Sequence, residues 1–306
     1  MLSRVPFECP AHLLEMASKA AKIPTAIVGA GGSVALESAR QASEKGFIEP
    51  LLVGVPAEIW AAAEEISWDI SGFEMIASEG EAETAALGVS LARIGQAKAL
   101  MKGQIHTDQL MKAVVSKESG LRTEKRLSHL FYMTIPGREG AVSITDAAVN
   151  VAPNAEQRLE ILKNAVELHH TLGQSRPRAA VLSATETPIA SMPSSQQAAE
   201  IAARAMAGAI ENADVEGPMA LDLAVSPRAA EIKGAKGVVV GQADILLVPN
   251  IETGNALFKG MVYYMSANAA GIVLGAKVPI VLTSRADPPE ARLAAMALAS
   301  VLATRG

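Results

Sequence analysis

Short apolar runs alternate along nearly the whole chain with Ala-rich stretches of helical spacing. This is the rhythm of βα units built around parallel sheets. Residues 25–29, 50–54, 98–101, 141–145, 178–183, 244–248, 271–274 and 279–283 read as strands. Most are continuously apolar instead of alternating, as strands covered on both faces are. A helix is predicted from Ser194, whose hydroxyl caps the first turn while Gln197 completes a capping box ahead of Ala198, Ile201, Ala202 and Ala205. The last helix is predicted from Pro288 and Pro289, where a missing N–H costs little, through Ala291, Leu293, Met296 and Leu298. Pro136 and Gly137 form the strongest punctuation mark, with several βα units on either side, and a domain boundary is expected there.

Composition narrows the class. A chain of 306 residues suits two medium domains or one large one. No window approaches the ~20 unbroken apolar residues of a membrane span. The first residues mix Arg4, Glu8 and two prolines, unlike a signal peptide, so a soluble cytoplasmic protein with no membrane partner is expected. Cys9 stands alone between Glu8 and Pro10, which rules out an internal disulfide and offers no cation to stabilise a thiolate. With a net charge of -5, no basic run and 3% aromatic residues, nucleic acid is an unexpected partner.

Ligands of open α/β sheets bind beyond the carboxyl ends of the strands, so the residues there carry the candidate chemistry. Lys102, Gly103 and His106 follow one strand, Asp146 and Asn150 another, and Ser183 and Thr185 close a third. Asn250, Glu252, Gly254 and Asn255 follow a fourth; Ser284, Arg285 and Asp287 follow the last. Loop and cap positions favour Asp, Asn, Ser and Gly for conformational reasons alone, which suffices for Asn150, Thr185 and Asp287 taken singly. Ser284-Arg285 asks for more: it sets a hydroxyl and a five-donor guanidinium just before a helix whose free N–H groups favour an anion. That combination suits a phosphate.

Missing motifs exclude other chemistry. The glycines 29, 31 and 32 follow a strand, but Val34 occupies the place of the third glycine of GxGxxG, so a tight turn is expected. There is no GxxxxGK[ST] loop and no GxSxG elbow. His169 and His170 are adjacent and point to different sides of a helix, so no histidine metal site is expected. His106, just after Lys102-Gly103, is the histidine best placed for a polar role; His12 and His129 read as structural.

Taken in order, LMKGQIHT (100–107), GLRTEKRLSHL (120–130), TDAAVN (145–150), GPMALDLA (217–224), GQADILLVPNIETGNALFK (241–259) and GIVLGAKVPIVLTSRAD (271–287) resemble the phosphate acetyltransferase and phosphate butyryltransferase family over almost the whole chain. The ADILLVPNI and VLTSRAD forms look more like the butyryl branch. The resemblance implies two α/β domains with mainly parallel sheets, similar to isocitrate and isopropylmalate dehydrogenases, with an active-site cleft between domains. Residues 1–137 with 271–306 are expected as the first domain and 138–270 as the second. It further implies a homodimer, no tightly bound cofactor, no metal, and coenzyme A or acyl-CoA with inorganic phosphate or acyl phosphate as substrates.

In the acetyl branch a Ser-Arg pair matching Ser284 and Arg285 takes part in catalysis, with an Asp a few residues later as base. Here Ala291 stands at that spacing, leaving Asp287 and Glu290 as the nearby acids. Lys102, Gly103, His106, Asp146, Asn250, Glu252, Gly254, Asn255 and Lys259 are the expected substrate-binding residues, and Arg122, Arg126 and Arg138 are further sources of local basicity. Two other readings are weighed against acyl transfer: a metal-dependent decarboxylating dehydrogenase of similar fold, set apart by chelator and nicotinamide sensitivity, and a silent coenzyme A-binding or scaffold protein, set apart by binding without turnover. The first needs a close cluster of Asp ligands that the sequence does not display.

Overall fold

The computed structural model describes residues 3–118, 120–282 and 287–305. The chain separates into two compact units, residues 7–125 with 270–306 and residues 1–6 with 126–269. In chain order the first unit opens with α1 (Ala11–Ser18), β1 (Ile23–Val28), α2 (Ser33–Glu44), β2 (Ile48–Gly54), α3 (Pro56–Glu65), β3 (Glu74–Ala77), α4 (Gly80–Arg93), β4 (Ala99–Lys102) and α5 (Thr107–Val115). The second unit holds β5 (Ser128–Thr134), β6 (Val142–Thr145), α6 (Ala155–Thr171), β7 (Arg178–Leu182), α7 (Pro193–Arg204), β8 (Asp214–Met219), α8 (Leu221–Val225), α9 (Pro227–Lys233), β9 (Ile245–Leu247) and α10 (Ile251–Met265). Then come β10 (Asn268–Leu274), β11 (Ile280–Val281) and α11 (Pro289–Arg305).

Strands of the first unit lie in the order β3-β2-β1-β4-β11-β10, parallel except where β10 meets β11. Those of the second run β5-β6-β9-β7-β8, parallel except for β5 against β6. The mainly parallel α/β class follows from continuous apolar strands such as Ile27-Val28 and Leu51 to Val53, buried throughout. Helix α11 is buried on every side from Ala291 to Val301, which is how a helix without a polar face must sit. In the second unit Phe131 of β5 stacks on Phe258 of α10 at 3.9 Å, beside Ile144, Leu182 and Leu246.

Several sequence expectations change. The capping box falls at Asn154 and Gln157 of α6, whereas α7 starts one residue before Ser194 because Pro193 supplies its first position. Gln197 instead receives Arg158 Nη1 at 3.4 Å. Pro136 and Gly137 lie between β5 and β6, inside the unit that contains both strands. The strand reading omitted β3, β5 and β8. β8, with Asp214, Gly217 and Pro218, lies at the end of the strand order, where proline and polar residues are tolerated.

Candidate active site

The first unit gathers its candidate residues where β1, β4 and β11 end side by side. Val28 pairs with Lys102, and Met101 pairs with Val281, so the loops after all three strands leave from the same edge. Gly29 takes a left-handed turn (φ 83°) and its carbonyl accepts the Gln104 N–H at 2.6 Å. Gly103 must be glycine, since a Cβ there would stand 2.2 Å from the Gly29 oxygen. The Gln104 side chain fills the space a Cβ on Gly32 would need. Thus the glycine turn read from the sequence is a bed for residues 102–104. Lys102 is half-buried with its ammonium 3.4 Å from the Gly103 carbonyl.

His106 precedes α5 as its cap residue, but its ring turns to Glu81 in the first turn of α4. Both Glu81 oxygens lie 2.8 Å from His106 Nδ1, and the His106 backbone N–H donates to Oε2 at 3.1 Å. These hydrogen bonds hold the Glu81 carboxyl below its usual range, with smaller help from Lys102. The imidazole stays largely in solvent, at 73% side-chain exposure. Glu81 had no signal in the sequence.

Beyond β11, Ser284 and Arg285 lie outside the described residues. Asp287 and Glu290 follow them at the start of α11. Arg292, buried, donates from Nε to Ser38 of α2 at 2.8 Å and from Nη1 to the Asp287 carbonyl. Burial lowers the guanidinium's proton affinity; Asp287, Glu290 and Glu37 oppose that. Ala291 is buried. Arg292 therefore pins the turn into α11, a role detectable only from its place in a helix that has no polar face.

The second unit builds a separate cluster where β6 and β9 end together, Thr145 paired with Leu247. Asp146 is 2% exposed and its carboxylate is saturated internally: Oδ1 accepts the Ala148 and Val149 N–H groups at 2.9 Å each, and Oδ2 accepts the His129 N–H at 3.0 Å and Asn150 Nδ2 at 2.6 Å. Asn150 Oδ1 in turn accepts Arg126 Nε at 2.8 Å. Asp146 thus organises the loop. Asn250 caps α10 by accepting the Thr253 N–H at 2.9 Å, and Glu252 is exposed in the first turn. Gly254 lets the helix touch β6's loop, because a Cβ would sit 2.8 Å from the Asp146 carbonyl. Asn255 is half-buried, and exposed Lys259 has its ammonium 5.9 Å from the Phe258 ring centre.

His129, His169 and His170 make their contacts within the fold. His129 is buried against Phe131 at 4.4 Å, and burial pushes its pKa down to about 4 against the opposing pull of Asp146. His169 bonds Ser143 and Gln174, while His170 meets the Asn212 carbonyl. Burial raises the Cys9 thiol to about 11, which leaves it protonated at neutral pH. Among the described residues no group of three or more His, Cys, Asp or Glu is placed to hold a metal, and no helix is long and apolar enough to cross a membrane. A pocket of about 260 Å³ between α4 and α5 is lined by Val89, Ser90, Arg93 and Ala113, at the helix ends far from His106.

Comparison with known proteins adds to this geometry. The phosphate acetyl/butaryl transferase family matches residues 77–300. The chain is 42% identical over 294 residues to a phosphate acetyltransferase of Rhizobium meliloti, covering 96% of this chain and 93% of that protein. It is 36% identical over 291 residues to a phosphate butyryltransferase of Clostridium acetobutylicum, covering 95% and 96%. The crystal structure of a branched-chain phosphotransacylase from Enterococcus faecalis V583 matches with a TM-score of 0.83 at 32% identity, over 93% of this chain and all of that one.

Proposed function

The chain belongs to the phosphate acetyl/butaryl transferase family, and on that premise we propose that it moves a short acyl group reversibly between coenzyme A and inorganic phosphate. Coenzyme A is a substrate here, and no tightly bound cofactor enters the reaction. The observation that carries the reading is the 42% identity to a phosphate acetyltransferase over nearly the full length of both chains.

Transfer is direct, within a ternary complex of enzyme, coenzyme A and acyl phosphate. No activated serine or cysteine is needed, in keeping with the protonated Cys9. Arg285 grips the phosphoryl oxygens in a bidentate manner that Lys cannot reproduce. The Ser284 hydroxyl and N–H groups at the start of α11 stabilise the carbonyl oxygen as it becomes tetrahedral and negative. Arg292, by holding the Asp287 carbonyl, supports this assignment by steadying the segment that follows the pair. The acids expected as proton acceptors, Asp287 and Glu290, both act on that same Arg292.

Lys102, Gly103, His106, Asn250, Glu252, Asn255 and Lys259 meet substrate, while Asp146 and Gly254 act by shaping the loop against which α10 packs in the second unit. Two anionic substrates on a protein of net charge -5 call for a locally basic site, which Lys102, Arg122, Arg126, Arg138 and Lys259 supply. Likeness to isocitrate and isopropylmalate dehydrogenases, a groove between domains, and a homodimer complete the reading; light scattering in solution tests the dimer.

The test is release of coenzyme A thiol from acetyl-, propionyl- and butyryl-CoA with and without phosphate. The expected result is phosphate-dependent release with at least one of the three. Release that ignores phosphate, or none at all, contradicts the proposal.

A further inference from the structure

We infer that His106, oriented by Glu81, is the general base that takes the proton from the coenzyme A thiol. This deepens the acyltransfer reading and rests on it. A thiol of pKa ~8.5 is mostly protonated at neutral pH, so an acceptor beside it raises the fraction that attacks as thiolate. The chain supplies no acid at the family spacing: Ala291 stands there and is 3% exposed. The acids flanking it, Asp287 and Glu290, are among the anions that offset the burial of the Arg292 guanidinium.

Glu81 and His106 form the one carboxylate–imidazole pair among the described residues at this edge of the sheet. Glu81 holds Nδ1 with both oxygens at 2.8 Å and also takes the His106 backbone N–H, so ring and backbone are fixed together. A carboxylate on Nδ1 places the proton there and leaves the Nε2 lone pair outward. At 73% side-chain exposure, the imidazole is open to a ligand. Its loop leaves β4 beside β11, the strand that leads into Ser284-Arg285, since Leu100 and Met101 pair with Ile280 and Val281. Charged groups close by in the described residues include Glu81 of α4, Lys102 at the end of β4 and Asp108 in the first turn of α5.

In the step, Nε2 accepts the S–H proton as sulfur bonds to the acyl carbon. The carbon–oxygen bond to the phosphoryl group then breaks, phosphate leaves with the bonding electrons, and the imidazolium returns its proton to the departing phosphate. Glu81 touches no substrate in this scheme; it is a positioning residue that stabilises the imidazolium.

The experiment uses the full chain, coenzyme A and whichever of acetyl, propionyl and butyryl phosphate the wild-type protein turns over fastest. His106→Gln is expected to lower kcat by ~10²–10⁴ with KM values little changed. His106→Gly is expected to recover turnover when imidazole is added, and Glu81→Gln to lose part of the rate. Turnover of His106→Gln close to wild type, or a loss accompanied by raised KM and no imidazole rescue in a folded His106→Gly protein, would overturn the inference while leaving acyl transfer intact. A wild-type protein that consumes none of acetyl, propionyl and butyryl phosphate removes the reaction itself, and the inference with it.

Discussion

His129 shows how one buried side chain can make the fold sensitive to acid. Among the described residues its ring has no hydrogen-bond partner at Nδ1, and burial holds it neutral, with a pKa of about 4 in place of the usual 6.5. The unfolded chain therefore binds the extra proton first as pH falls. Stability that is complete above pH 6.5 drains away as pH drops from about 6.5 towards about 4, with a slope of at most ~1.4 kcal/mol per pH unit for one proton. Denaturant unfolding at a series of pH values is expected to show this loss, and His129→Asn to flatten it within that window. A His129→Asn protein with an unchanged slope would assign the acid sensitivity to other groups, of which buried His169 is the first to examine. Burial also explains why this residue misled the strand reading: Ser128 and His129 open β5 with polar side chains that the fold nevertheless buries.

At the scale of elements, the parallel strands were legible because burial on both faces leaves an unbroken apolar run, as in β1, β2 and β7. β8 was hidden by its Asp, Gly and Pro, and β3 by its four-residue length, with its two end residues exposed and its middle two only half-buried. The Ser284-Arg285 dipeptide, read as chemistry before a helix, lies outside the described residues, and the Glu81–His106 pair gave no signal in the sequence. Glu81 and His106 are 25 positions apart, and only the pairing of β4 within the sheet and the placing of α4 bring them into contact. Nor does local sequence reveal that Gly103 lies against the Gly29 carbonyl. Gly103→Ala forces backbone against backbone, and a loss of ~1–3 kcal/mol is expected, read as a lower Tm. The same change displaces Lys102 to His106, so turnover falls beyond what the stability loss explains. An unaltered Tm in that variant would mean the two loops part easily.

Across the whole molecule, the family is carried by blocks spread from Leu100 to Asp287. Its relatives include both acetyl- and butyryltransferases, so the butyryl-like forms of residues 243–251 and 281–287 do not by themselves fix the acyl chain. One methylene in an apolar pocket shifts preference by only ~1–3 kcal/mol, too little to read from these motifs. The central claim is instead about charge: a hydroxyl and a guanidinium after β11 stabilise the transferring group. The direct measurement is phosphate-dependent thiol release by Ser284→Ala and Arg285→Gln, with circular dichroism confirming that both fold. Turnover is predicted to drop by ~10²–10³ for loss of the hydroxyl donor, and strongly for loss of the guanidinium. Near-normal rates in both variants would contradict the account.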